Sequence, residues 1–460
     1  MKHAIDLTRG NILAVLTKLA MPIMATSLIQ MAYNLTDMIW IGRLGASAVA
    51  AVGSAGMFMW LASGFTTIAR TGGQVMTGQM LGAKEQERAS LYAQNALQFG
   101  IVFALLYTVV LVAFAKPLIG FYRFNEASTV RDAIIYLQIV GGGMVFSFVN
   151  MIFTGLITAA GNSKTPFIAT SVGLVANIIL DPVLIFGFGP IPALGAGGAA
   201  IATVGAQIIV TLMFVRYCLR DSLLKRVRLF SRPDGACIKD IVRIGLPSAV
   251  QEMIFAGVAM VIARMVASFG DAAVAVQRVG SQIESISWMT GQGFASALSS
   301  FIAQNYGAGD FHRAKKGYHT AVSIIIGWGL FSTALLVFCA GPLFQIFIPD
   351  ETILPMGISY LVILGYSQVF MCVEIVASGA FSGFGKTLPP SIVATLLTAA
   401  RIPAAMWLSS TALGLDGIWW SITISSILKG IVLAILFWMY ERRLARAMPQ
   451  SKQEQSTVSI

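Results

Sequence analysis

Stretches of about 20 predominantly apolar residues, each long enough to cross a bilayer as a helix, recur along this 460-residue chain and restrict its fold more than any other feature. Twelve are found, centred near residues 25, 62, 103, 145, 176, 207, 253, 292, 328, 366, 400 and 428. Lipid offers the backbone no hydrogen-bond partner, so only helices or closed barrels span it, and a barrel needs a strict apolar/polar alternation that is absent here. With 57% hydrophobic and 11% charged residues, the chain falls outside soluble composition. An all-α integral membrane protein with 12 transmembrane helices is expected.

The formal net charge of +11 does not point to nucleic acid, because the basic residues collect between spans rather than on one soluble domain. Lys2, Arg9, Lys84, Arg88, Lys164, the run Arg220 to Arg232, Arg313, Lys315, Lys316, Lys386 and Arg442 to Arg446 all fall on one side of an even-numbered bundle. The positive-inside rule makes that side, with both termini, cytoplasmic. The N-terminus lacks a short apolar segment ending in a small-residue cleavage site, so the first span is expected to be retained. Cys218, Cys237, Cys339 and Cys372 have no metal spacing and read as reduced thiols. His3, His312 and His319 form no metal cluster, and no GxxxxGK[ST] loop is present, so ATP hydrolysis is not expected and uphill transport would draw on an ion gradient.

The polar segment Arg220 to Asp240 divides the spans six and six, and the second half repeats the first. At a shift of 225, Pro22 meets Pro247, Gly45 meets Gly270, and GQMLGAKEQERA from Gly78 meets AQNYGAGDFHRA from Ala303; at 224, GLITAAGNSKTP from Gly155 meets GAFSGFGKTLPP from Gly379. Six spans per half give the halves one orientation. Such a parallel repeat is an architecture of alternating-access transporters, although duplication alone leaves a channel or receptor open. The expected organisation is an amino-terminal lobe (1–219), a cytoplasmic linker (220–240), a carboxy-terminal lobe (241–440) and a polar tail (441–460).

Residues present in one copy only are functional candidates, since the fold does without them in the other. Asp37 meets Ile262 and Asn34 meets Ala259. In the fifth span Asn177 and Asp181 stand four apart on one helical face beside Pro182, whereas the matching segment carries Arg401 and Pro403 and no acid. An acid at mid-membrane costs about 3 kcal/mol on insertion scales, relieved by protonation, ion binding or a polar neighbour. Asp37 and Asp181 on facing spans would hold a proton or, with the oxygens of Asn177 and Thr203, a sodium ion. Capping a broken helix or pairing with a base is the structural alternative. Gln30, Tyr33 and Asn34 lie near Asp37 on its span. Glu252, Glu284 and Glu374, with Arg264, Arg278 and Arg401, give the second half acids and bases whose role the sequence leaves open.

These stretches, with LAMPIMATSLIQMAYNLTDMIWIGRLGASAVAAVG, GQMLGAKEQERA, AAGNSKTP, NIILDPVLIFGFG and QNYGAGDFHRAKKG, resemble the multidrug and toxic compound extrusion (MATE) family, in detail its DinF-type bacterial branch. The resemblance implies a V-shaped pair of six-helix lobes in the bacterial inner membrane, a monomer without cofactor. It would export organic cations or amphipathic drugs in exchange for H+ or Na+. It places the ion site on Asp37, Asn177, Asp181 and Thr203, with Asp37, Asn177 and Asp181 as Na+ ligands. It also makes Pro22 a bending point of the first helix, and Gln30, Tyr33, Asn34, Tyr136 and Asn150 cleft-lining. The acids of the related NorM branch fall on Phe255 and Met371, so a carboxy-lobe sodium site of that kind is not expected. Other readings of the same fold are a lipid-linked precursor flippase or a receptor or channel without coupled transport.

Overall fold

The computed structural model describes residues 5–447 except 123, 125, 191, 222 and 349; the side chains of residues 34, 35, 46 and 445 are likewise outside the description. The first half builds α1 (Ile12–Gly42), α2 (Ala46–Gly82), α3 (Gln86–Ala113), α4 (Ala115–Gly120), α5 (Ala127–Gly142), α6 (Met144–Ala159), α7 (Lys164–Phe186) and α8 (Gly195–Cys218). The second builds α9 (Gly235–Ala267), α10 (Asp271–Gly307), α11 (Phe311–Phe338), α12 (Ala340–Gln345), α13 (Leu354–Gly365), α14 (Gln368–Gly383), α15 (Leu388–Ala399), α16 (Arg401–Ser409) and α17 (Leu415–Ala447).

Among the described residues nine helices are long and apolar enough to cross a membrane, α15 and α16 counting together as one, and two bent pairs bring the number to 11. Ten of the twelve expected centres fall within helices; those near 366 and 400 fall at the breaks between α13 and α14 and between α15 and α16. Only α10 is absent from the eleven: at 37 residues it is long enough, but Gln277, Arg278, Gln282, Glu284 and its serines make it too polar.

The sequence repeat is a repeat of helix lengths. Both α2 and α10 have 37 residues, α3 and α11 have 28, α4 and α12 have six, and α6 and α14 have 16. The pair α5 and α6 bends by 47°, and α13 with α14 bends by 46°. At each bend a threonine hydroxyl from the third span donates to a carbonyl: Thr108 to Gly141 O at 2.8 Å and Thr333 to Gly365 O at 2.9 Å. A broken ladder inside lipid needs such a partner. Gly45 and Gly270 precede α2 and α10 with φ of 110° and 105°, a backbone region that side chains disfavour.

The compact units do not divide at the basic linker. One contains Met1–Asp6 and Met21–Ala249, the other Leu7–Ala20 and Val250–Ile460. Thus α1 begins in the second unit and continues in the first, and α9 does the reverse. The segment before α9 is tied to α3. Ser90 and Gln98 donate to the carbonyls of Leu223 and Leu229, Gln94 donates to Ser231 Oγ, the amides of Arg228 and Asp234 donate to Gln94 and Asn95, and Tyr92 donates to Asp240. The turns of α9 that follow lie against α2: a Cβ on Gly72 would stand 2.2 Å from Ile241 O, and one on Gly245 2.2 Å from Ile68 O. In the second unit, Arg313 donates to Arg9 O and Gly10 O at 2.8 Å and Asn305 to Leu7 O at 3.1 Å. Each half receives the entry segment of the other.

The first unit buries two apolar clusters. One surrounds Ile152, Leu156 and Phe214; the other surrounds Leu137, Phe148 and Ala199. In the second unit Phe344, Tyr360, Leu361 and Trp419 belong to one buried group. Large apolar side chains such as Phe121, Leu106 and Val109 remain exposed, as lipid-facing positions require.

Candidate ion and substrate site

Asp37 and Tyr33 share one face of α1, a turn apart, while α7 carries Asn177 and Asp181 and α8 carries Thr203. The close packing of α8 on α7 follows from a residue without a side chain: a Cβ on Gly198 would lie 2.2 Å from Leu184 O. Asn177 and Asp181 are fully buried. Asn177 Nδ2 donates to Asp181 Oδ1 at 3.1 Å, the contact that an i, i+4 spacing makes available. Pro182, inside the helix, has no N–H to return to the preceding turn and so leaves a carbonyl without its helical donor.

Five buried oxygens in this group have no hydrogen-bond partner: Tyr33 Oη, Asp37 Oδ1, Asn177 Oδ1, Asp181 Oδ2 and Thr203 Oγ1. They belong to one constellation. Asp181 lies within Coulombic reach of Asp37, Tyr33 of both acids, and the Thr203 hydroxyl stands beside Tyr33 and Tyr136. Neither acid forms an ion pair with a described residue. Buried polar atoms are ordinarily satisfied, and each orphan costs about 1–3 kcal/mol; five together form a donor set for something that binds. No group of three His, Cys, Asp or Glu able to hold a metal ion exists among the described residues. The oxygen donors present fit a proton or a hard monovalent cation rather than a soft metal.

The structure therefore brings together Asp37, Asn177, Asp181, Thr203, Tyr33 and Tyr136. Asn150 has other company: its amide nitrogen donates to Gln207 O at 2.9 Å and Gln207 Oε1 at 2.8 Å, and its oxygen accepts from Thr211 at 2.8 Å, which joins α6 to α8. Gln30 is exposed on α1, and the side chain of Asn34 lies outside the described residues. Pro22 falls where α1 passes from one unit to the other, and its carbonyl accepts from Thr26 Oγ1 at 2.8 Å. In the second half Phe255 is exposed and Met371 packs with Ala295 and Ile375, so both NorM-type positions are apolar.

Sequence reasoning missed Lys429. It lies in the last span, 7% exposed, and pairs with Glu374 at 2.9 Å. The lone lysine in an apolar run, SSILKGIVL, was the available signal.

The MatE family model matches residues 22–183 and 247–407, one match per half. The chain belongs to the MatE family. A probable multidrug resistance protein NorM of Thermotoga maritima is 28% identical over 94% of this chain and 93% of its own length. A protein named FAD transporter of Shewanella oneidensis is 26% identical over 94% and 95%. Among solved structures, a MATE crystal structure in the bent conformation superposes with a TM-score of 0.88 at 24% identity, covering 96% of this chain and 98% of the other. The fold is thus that of MATE transporters, and the MatE protein is a multi-pass membrane transporter rather than an enzyme.

Proposed function

We propose that this MatE protein is a secondary antiporter of the bacterial inner membrane, exporting cationic or amphipathic organic compounds in exchange for H+ or Na+. Asp37 and Asp181 act as the coupling groups and Asn177 and Thr203 as auxiliary oxygen donors. The observation that carries the reading is the set of five unpartnered buried oxygens, two of them on acids that no base neutralises. The names of relatives such as the Thermotoga protein support the cargo class. Tyr33 and Tyr136, beside the acids, supply aromatic faces for a cationic substrate, with Gln30, Asn34 and Asn150 as further candidates for the substrate path.

In the cycle that follows, a drug cation and the coupling ion compete for the same negative site. From the outward-facing state, H+ or Na+ enters the Asp37–Asp181 group, its charge is neutralised, α1 rearranges near Pro22, and the cationic drug loses its partner and leaves. An ion shifts the state only through different affinity for the two conformations, and a carboxylate whose surroundings change with the helix provides that difference. The charge distribution supports cytoplasmic termini, residues 1–219 and 241–440 are the two sequence repeats joined by 220–240, and a monomer suffices. The acidic, base-free character of the site disfavours a flippase for pyrophosphate-linked lipids.

The test is efflux of a fluorescent cationic dye from cells under separately imposed proton and sodium gradients. Wild-type efflux is expected to follow one of them and Asp37→Asn to abolish it with membrane expression unchanged. Full efflux in that variant, or indifference to both gradients, would sink the reading.

A further inference from the structure

The second unit contains its own polar cluster, built where the repeat places equivalent helices. Lys429 and Glu374 neutralise each other at 2.9 Å. Arg401 and Glu284 do not. Arg401, 8% exposed, donates through Nε to Ser425 and through Nη2 to Ser426, both at 3.0 Å, and no described carboxylate comes within 4 Å of it. Among the described residues Glu284 accepts from Gln368 Nε2 alone, at 3.1 Å. Arg401 is within Coulombic reach of Glu374 and of Glu284, and Glu284 of Arg401 and Lys429, without direct ion-pair contact. Gln368 Oε1, beside Glu284, is unsatisfied, as is Trp419 Nε1 nearby in the same unit. The Trp419 ring meets Tyr360 edge-to-face at 5.1 Å. Phe255 presents its ring to the guanidinium at 5.8 Å and is 43% exposed.

An isolated buried charge keeps a desolvation penalty that serine hydroxyls or one amide offset only in part. The cluster has one buried cation and one half-buried anion without a direct ion-pair contact, beside an exposed aromatic face, while its other two charges are in contact with each other. A ligand with a single charge would satisfy one of them and leave the other. A ligand with both signs satisfies both, and guanidinium is the side chain best suited to grip a carboxylate through parallel N–H bonds.

We propose that the Arg401–Glu284 cluster of the carboxy-terminal half is a second binding site, taking small zwitterionic amphiphiles whose carboxylate pairs with Arg401, whose ammonium pairs with Glu284, and whose apolar body lies against Phe255. Lys429 and Glu374 are positioning residues there, holding α17 to α14. This site is separate from the amino-half acids and widens the cargo class from cations to compounds that also carry an acid.

A matched pair of probes decides it. Nε-dansyl-L-lysine carries an ammonium, a carboxylate and an aromatic body, and dansylcadaverine is the same molecule without the carboxylate. Fluorescence titration of the purified full chain in lipid nanodiscs is expected to show at least tenfold tighter binding of dansyl-lysine. Arg401→Gln should erase that ratio and Glu284→Gln should weaken dansyl-lysine binding, while Arg401→Lys retains part of the preference. Asp37→Asn, which abolishes coupled efflux in the reading above, should leave the affinity for dansyl-lysine unchanged whatever it does to dansylcadaverine at the amino-half acids, so the two proposals fail independently. Equal affinity of the two probes for wild type overturns the inference whatever the variants do. So does a ratio that survives Arg401→Gln, or dansyl-lysine binding indifferent to Glu284→Gln.

Discussion

Asn150 and Glu374 stand at one position of the repeat, as do Asn177 and Arg401, and Tyr136 and Tyr360, since the shift of 224 that superposes α6 on α14 relates each pair. The helices that carry Asn150 and Glu374 are equal in length, and the bends before them and the threonine hydroxyls at those bends match. The chemistry does not. In the first half the cross-link from the bent span is a neutral network, Asn150 with Gln207 and Thr211; in the second it is an ion pair, Glu374 with Lys429. In the first half the fifth span offers an amide to an acid, and in the second it offers a guanidinium to two serines. Duplication thus preserved the positions at which helices exchange polar contacts and changed the charge carried there. Among the described residues the amino-half site holds two acids and no base, the carboxy-half cluster two acids and two bases.

Removing one partner of the ion pair should produce the largest effect, because the survivor becomes a buried, uncompensated charge. Lys429→Met is expected to cost about 3–5 kcal/mol, and the double variant Lys429→Met with Glu374→Leu to recover most of it. Thermal unfolding in detergent measures both, and a single variant as stable as wild type would contradict the pair's importance. The neutral cross-link is the weaker lock. Asn150→Ala loses its bonds to α8 and leaves Gln207 and Thr211 short of a partner, an expected cost of about 1–3 kcal/mol by the same measurement; a loss equal to that of Lys429→Met would erase the distinction between the halves. The smallest effect belongs to the tether of the basic segment. Gln94→Ala is expected to lower stability by about 1 kcal/mol and to speed tryptic cleavage around Arg228, and an unchanged cleavage rate would show that the tether does not depend on Gln94.

The positions of these polar residues could be read from the chain; their partners could not. Asp37 and Asp181 stood out because an acid in an apolar run has no cheap explanation, and Lys429 could have been found in the same way. Tyr136 and Asn150 entered through family resemblance alike, yet one lies beside the acids and the other joins α6 to α8. That difference depends on the rotation of α5 and α6 about their axes, and a nearly uniform apolar surface does not encode rotation.

The sequence by itself determined that the chain crosses lipid as helices, where those helices lie, and that one half repeats the other. Lipid forces each segment to close its own backbone hydrogen bonds, so the span is a local property. Only the tertiary structure decided that α1 and α9 each begin in one unit and end in the other, that two spans bend by 47° and 46°, and that Glu374 chooses Lys429. Between helices in lipid, packing and sparse hydrogen bonds replace the hydrophobic drive, and these depend on register and approach distance, which residues remote in sequence settle together.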